Sequence, residues 1–381
     1  MNKSLLIYVA TFLIAIYFSW RYQKKIKYDK YNKVSNIDNS KKNNRGNIFY
    51  GIMVIFVPVF ISSIRWYTGT DFNNYLLRLR VSQNFNLSEF TNIINEPLYG
   101  LLNYIANLLF AGRDWSIFFL SSLIIMFFIF LTITYYEKYL SIPLSLFIYF
   151  MLYYLLTFNI VRQMIAVSII LFSYRYIMEH KFSKYVIWVI IASLFHKSAI
   201  ICIFFYLLSF KKDNGSKYMK YLFYLTICIS PVIIGPILQL IENLGFISLY
   251  SDRYDIEFNG IGFGFLLDVI PAVVPALIFR KNIRNRNPEF DILINISLLT
   301  IPLRMMGYYQ YWAIRLMHFS SIVQIILIPI LIQSINSKRE RVICYIFFIV
   351  MYLMYFIYNF VINNDGEVFP YQSIIPFLNA T

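Results

Sequence analysis

Uncharged apolar runs long enough to cross a bilayer recur along the whole chain, and they constrain the fold more than any other feature. A run of about 17–25 apolar residues matches the thickness of the hydrocarbon core. In lipid every backbone N–H and C=O must find its partner inside the protein, which leaves helices or closed barrels. Barrel strands show weak alternation, whereas these runs are continuous. The prediction is therefore an all-α polytopic integral membrane protein of about 10–12 transmembrane helices, with re-entrant segments as a variant. Composition agrees, since 59% of the 381 residues are hydrophobic and only 14% are charged, against about a quarter in soluble domains.

A net charge of +15 raises the question of nucleic acid, but the basic residues cluster between the apolar runs. That is the positive-inside pattern of a membrane protein, and no nucleic-acid partner is expected. Nine Lys/Arg against Asp29 and Asp38 between Arg21 and Arg45 place the loop 21–46 in the cytoplasm. The basic segments 211–220, 280–291 and 338–341 follow it there. Segment 65–96, with three Arg and three acids, is the first extracytoplasmic loop. The acidic segments 242–260 and 363–381 also lie outside, so both termini are extracytoplasmic. The first run, Leu5–Trp20, lacks a basic leader and a small-residue cleavage site and reads as a retained helix. Residues 1–381 read as a single polytopic membrane domain.

Five apolar segments lie between residues 96 and 211: 97–111, 115–135, 142–157, 160–177 and 185–208. The charge pattern requires an odd number of them to cross. All five cross, or three cross while 97–111, which is short, and 185–208, which is interrupted at His196-Lys197, are re-entrant. Both versions stand at this level.

The cysteines, Cys202, Cys228 and Cys344, lie in separate apolar runs without paired spacing. The histidines are His180, His196 and His318, again without ligand spacing, so no metal site is expected. There is no P-loop and no GxGxxG, and no cofactor is expected.

An ionisable side chain at bilayer depth costs about 2.5–3.5 kcal/mol on insertion scales, so those present are functional candidates. His196 can exchange a proton near neutral pH, or it can be a packing residue. Arg162-Gln163 has no acid within a helical turn, so its guanidinium needs an anion; a planar fork suits phosphate, and a helix-end contact to lipid headgroups is the plain alternative. Asp71, in Arg65…Gly69-Thr70-Asp71-Phe72…Tyr75, can act as a base or cap a turn. Glu96 precedes Pro97 and can act as a base or simply start a helix. Arg304 and Arg315 flank a turn rich in tyrosine. Tyrosines make up 33 residues, expected mainly as an interfacial belt.

The sequence Arg65 with Gly69-Thr70-Asp71-Phe72 and Tyr75, the stretch Phe158-Asn159-Ile160-Val161-Arg162-Gln163 with Ala166, and the stretch Ala192-Ser193-Leu194-Phe195-His196-Lys197-Ser198-Ala199 resemble the EpsG-type, Wzy-like exopolysaccharide and O-antigen polymerase family. Arg315 and Pro370-Tyr371 extend the likeness to nearly the whole chain. The resemblance implies a metal-independent, glycosyltransferase-type enzyme of the bacterial cytoplasmic membrane. It would join polyprenyl-diphosphate-linked oligosaccharide units at the outer face, with membrane lipids and other polysaccharide-assembly proteins as partners. Chemistry then suggests His196, Asp71 or Glu96 as the group that takes the acceptor proton. Arg65, Arg162, Gln163, Arg304 and Arg315 would hold the diphosphate. The alternatives are an oligosaccharide ligase or other polyprenyl-donor transferase, and a transporter or flippase of lipid-linked sugars. The five-crossing version carries Arg162 toward the cytoplasm and fits this function poorly, so either three segments cross or Arg162 is structural.

Overall fold

A computed structural model describes residues 2–34, 40–84, 96–209, 263–309 and 311–379, with short stretches between 221 and 236. Among the described residues the chain is almost wholly helical and has no β-strand; one antiparallel bridge joins Arg65 to Ser373. Seven helices are long and apolar enough to cross a membrane. The chain is an all-α polytopic membrane protein. The segments 211–220 and 242–260, whose charge was read above, lie outside the described residues.

The chain forms two compact units. The first comprises residues 1–172, 188–200 and 337–381. It opens on the pair α1 (Asn2–Val34) and α2 (Ser40–Ser63). Here the prediction of a loop over 21–46 is corrected. Neither proline nor glycine interrupts residues 21–34, and the basic side chains do not stop the helix, so α1 runs on past the apolar part. Ser4, Tyr8, Thr11, Phe12, Ala15 and Ser19 recur at three- and four-residue spacing and are all buried. The small and hydroxyl residues among them allow close packing, and Thr11 returns its hydroxyl to the Ile7 carbonyl at 2.7 Å. The opposite side exposes Leu6, Leu13 and Trp20, as a lipid-facing surface should.

The predicted outer loop 65–96 also contains a helix, α3 (Phe72–Val81). It is followed by α4 (Pro97–Phe110), α5 (Ser116–Tyr135) and α6 (Ile142–Tyr149), which continues through irregular turns to Phe158. Next come α7 (Val161–Met178), buried over most of its length, and α8 (Phe182–Phe195). The break at His196 was legible in the sequence. There α8 ends and a 3₁₀ segment, Lys197–Leu208, begins.

Contacts within each unit bring distant parts of the chain together. Arg65, just past α2, lies on the ring of Phe118 at the start of α5. The chain between them therefore leaves and returns on one face. Within it, Asn107 of α4 bonds Ser82 at the end of α3 at 2.7 Å, and Tyr99 packs on Tyr75. At 14 residues, about 21 Å, α4 packs beside α3. The segment 182–208 behaves likewise. Phe182 meets Tyr206 with ring centroids 4.9 Å apart, and the Tyr185 hydroxyl donates to the Cys202 carbonyl. The residues around Phe182–Tyr185 and Cys202–Tyr206 thus lie side by side. Of the five segments, 115–135 and 160–177 hold helices long and apolar enough to cross a membrane, and 142–157 holds a shorter apolar one.

Buried tyrosines serve as interhelical donors as well as belt residues. The hydroxyls of Tyr154, Tyr371 and Tyr8 donate to the carbonyls of Pro58, Ile61 and Val368 at 2.7–2.8 Å. The last of these, with Tyr371 N to Ser4 Oγ at 2.8 Å, ties the chain's first helix to its final segment. Both ends therefore lie on the Glu96 face. At the opposite face Gln23 of α1 bonds Leu140 and Ile142, next to Lys138.

The second unit comprises residues 173–187 and 201–336. Its basic segment 280–291 is a short helix, Arg280–Arg286, followed by a turn rather than a loop. Arg280 grips Asp291 through two nitrogens at 2.6 and 2.7 Å. The helix Gln324–Ser334 is almost wholly buried.

Candidate active site

Helix ends from three separate parts of the chain meet on one face of the first unit. Glu96 is the residue before α4, where Pro97 supplies a preset φ for the first turn. Arg162 is the second residue of α7, and His196 is the residue at which α8 stops. Glu96 is buried, and its two carboxylate oxygens serve different partners. Oε2 accepts from Nη1 of Arg162, and Oε1 lies 2.7 Å from Nδ1 of His196. The Arg162 side chain is 28% exposed and that of His196 22%, so the cluster is sealed on its carboxylate side and open beyond it. The Tyr99 ring lies 6.0 Å from the Arg162 guanidinium carbon, and the Tyr75 side chain hydrogen-bonds with Arg162.

This geometry fixes protonation states. Burial alone would raise the Glu96 carboxyl, but the hydrogen bond from His196 and the charge of Arg162 outweigh it and hold Glu96 below the usual carboxylate range. Glu96 is therefore ionised and accepts only. The proton on the shared bond must sit on Nδ1, which leaves Nε2 as the ring nitrogen turned away from the carboxylate. A carboxylate on Nδ1 that orients imidazole for proton uptake at Nε2 is the arrangement used by hydrolytic triads. Glu96, one of the three groups expected to take the acceptor proton, is an ion-paired carboxylate in this arrangement.

Arg162, which has no acid within a helical turn, finds its anion in Glu96. Its partner lies 66 residues away, beyond any helical spacing rule. Gln163 is buried beside it. Asp71 stands at the start of α3 and accepts from the Asn74 side chain at 3.3 Å, a local turn role. Arg65 is 1% exposed and held between Phe118 and Phe158, 4.5 and 4.4 Å from the ring centroids. Burial lowers its pKa to about 10. Enclosed in this way it cannot meet a diphosphate, contrary to the sequence reading. Arg304 belongs to the second unit, where Nε donates to Asp268 at 2.7 Å, so its charge is already met. Arg315 is an exposed residue of that unit.

Sequence reasoning missed Tyr99, which packs on the cluster, and Asn159. Tyr75 OH donates to the Asn159 carbonyl at 2.7 Å, three residues before Arg162. The one available signal was the glycine pair Gly69 and Gly366, both at positive φ, whose close neighbour is Asn159.

Fold and site together define a multi-pass membrane protein with a histidine–carboxylate–arginine cluster on one face of its first unit. The sequence profile of the EpsG family matches residues 48–373, and the chain belongs to that family. Its role is thereby that of a polysaccharide-polymerase-like membrane enzyme. Comparison with curated proteins and with solved structures gives no match.

Proposed function

We propose that the chain polymerises polyprenyl-diphosphate-linked oligosaccharide units at the outer face of the bacterial cytoplasmic membrane. The observation that carries this reading is the Glu96–His196 bond at 2.7 Å, on the face opposite the basic turn around residues 21–46. Positive-inside orientation turns that basic turn to the cytoplasm and the cluster outward, with both termini outside.

In the reaction, a hydroxyl of the incoming lipid-linked unit attacks the anomeric carbon of the growing chain. The new glycosidic C–O bond forms as the bond to the diphosphate breaks. The hydroxyl proton passes to Nε2 of His196, and the leaving diphosphate carries away the electron pair. Arg162, paired on one nitrogen with Glu96 yet partly open, is the cation this reading assigns to the departing charge. The step as written uses no metal.

The test is turnover of purified protein in liposomes with a defined lipid-linked oligosaccharide, scored as longer glycans on the lipid. Movement of the lipid across the bilayer without lengthening would identify a flippase instead. His196→Gln keeps size and some hydrogen bonding but cannot accept the proton, and should lose about 10²–10⁴ in rate.

A further inference from the structure

Asn159 takes no part in proton transfer, yet three separate segments meet on it. Thr70 Oγ1 donates to its Oδ1 at 3.0 Å. Its Nδ2 donates to the Gly366 carbonyl at 3.0 Å, and Tyr75 OH donates to its own carbonyl at 2.7 Å. The neighbouring backbones are bonded to each other as well, Gly69 N to Glu367 O and Thr70 N to Gly366 O, both at 3.1 Å.

Space around the amide is tight. A Cβ on Gly366 would stand 2.0 Å from Nδ2, and one on Gly69 would stand 2.8 Å from Oδ1. Both glycines have positive φ, +74° and +98°, where a side chain would be strained in any case. Only an amide satisfies this pocket. It must accept from Thr70 on one side and donate to a carbonyl on the other, whereas a carboxylate would set oxygen against oxygen at Gly366.

We infer that Asn159 is a positioning residue for the transfer reaction. It locks the turn around Thr70 and the final segment around Gly366 to the first turn of α7. Arg162, three residues on, is thereby held against Glu96, and through Glu96 the ring of His196 is held. Tyr75 reinforces the link, since its side chain touches both the Asn159 carbonyl and Arg162. The final segment is thus part of the apparatus, although it supplies no reacting group. The rate arm of the test rests on the polymerase reading, and the exchange arm does not.

Asn159→Asp and Asn159→Ala are compared with the milder Thr70→Val in liposomes. A misplacement of about 1 Å can cost on the order of 10²-fold in rate. The expected result is a kcat lowered about 10–100-fold, with KM for the lipid-linked unit close to wild type. Amide exchange should quicken at 161–165 while 170–176 stays unchanged. Thr70→Val should show both changes to a smaller degree, and adding it to Asn159→Ala should cost nothing further. Wild-type kcat in Asn159→Asp, or unchanged exchange at 161–165, overturns the inference. If the Asn159 variants do not fold, wild-type kcat and exchange in Thr70→Val overturn it. If the wild-type protein lengthens no glycan, the polymerase reading fails and exchange alone decides the role of Asn159.

Discussion

Replacing Glu96 by glutamine separates the chemistry of the cluster from its contribution to folding. Glutamine has nearly the same shape. Its carbonyl oxygen can still face Arg162, which turns the NH₂ toward Nδ1 of His196. That group donates where the carboxylate accepted, so the ring proton must move to Nε2 and the nitrogen facing substrate can no longer act as a base. The expected loss is that of a positioned base, about 10²–10⁴-fold, or about 3–5 kcal/mol at 1.36 kcal/mol per tenfold. The stability cost is smaller. Breaking a fully buried ion pair costs about 3–5 kcal/mol. Arg162 is 28% exposed, and water can replace part of its partner; about 1–2 kcal/mol is the corresponding figure. Single-turnover lengthening of a defined lipid-linked oligosaccharide, normalised to inserted protein, measures the first quantity, and thermal unfolding in detergent measures the second. If Glu96→Gln retains more than about a tenth of the wild-type rate while His196→Gln is inactive, the carboxylate does not set the ring's tautomer and the argument fails.

Other outcomes follow from the same structure. A cysteine at Glu179, in the turn after α7, should resist labelling by an impermeant reagent in intact cells, whereas one at Asp365 should react; the reverse pattern would invert the topology. The folded Glu96 carboxyl lies below the unfolded value of about 4.3, so its contribution is complete above that pH and is lost as pH falls through the depressed value. Acid unfolding of the wild-type protein should therefore be steeper below about pH 4 than that of Glu96→Gln, and identical profiles would contradict the ion pair. Arg65 lies flat between two rings with Nε and Nη1 unpartnered. Lysine keeps the charge but loses the plane and is more strongly hydrated, whereas methionine removes the buried charge. Tm should fall further in Arg65→Lys than in Arg65→Met, and the opposite order would show that charge alone matters there.

What the sequence revealed and what it hid follow from range. The break at His196 was visible because a polar pair interrupts an apolar run, a local signal. The start at Pro97 was visible for the same reason. The continuation of α1 past Arg21 was not, because a change from apolar to basic residues marks a membrane boundary and not a helix end. The partner of Arg162 was hidden because Glu96 comes from a different helix start, and the 100 residues between Glu96 and His196 place that pair equally beyond pattern. Arg65 was misread for another reason. An arginine next to a span satisfies the headgroup, diphosphate and aromatic-sandwich readings alike, and only the positions of Phe118 and Phe158 choose among them. Asp268, the partner of Arg304, stood in plain view inside an apolar run, and depth in the membrane was the clue to pair it.

The bonds from Gly366, Glu367 and Gln372 to Asn159, Gly69 and Trp66 also carry a schedule. A ribosome delivers the helices bearing Glu96, Arg162 and His196 to the membrane well before it releases the segment that clasps them. Until those later residues have been made, Asn159, Gly69 and Trp66 lack these partners. A chain paused before residue 366 would hold the turn around Gly69 and Asn159 without those bonds.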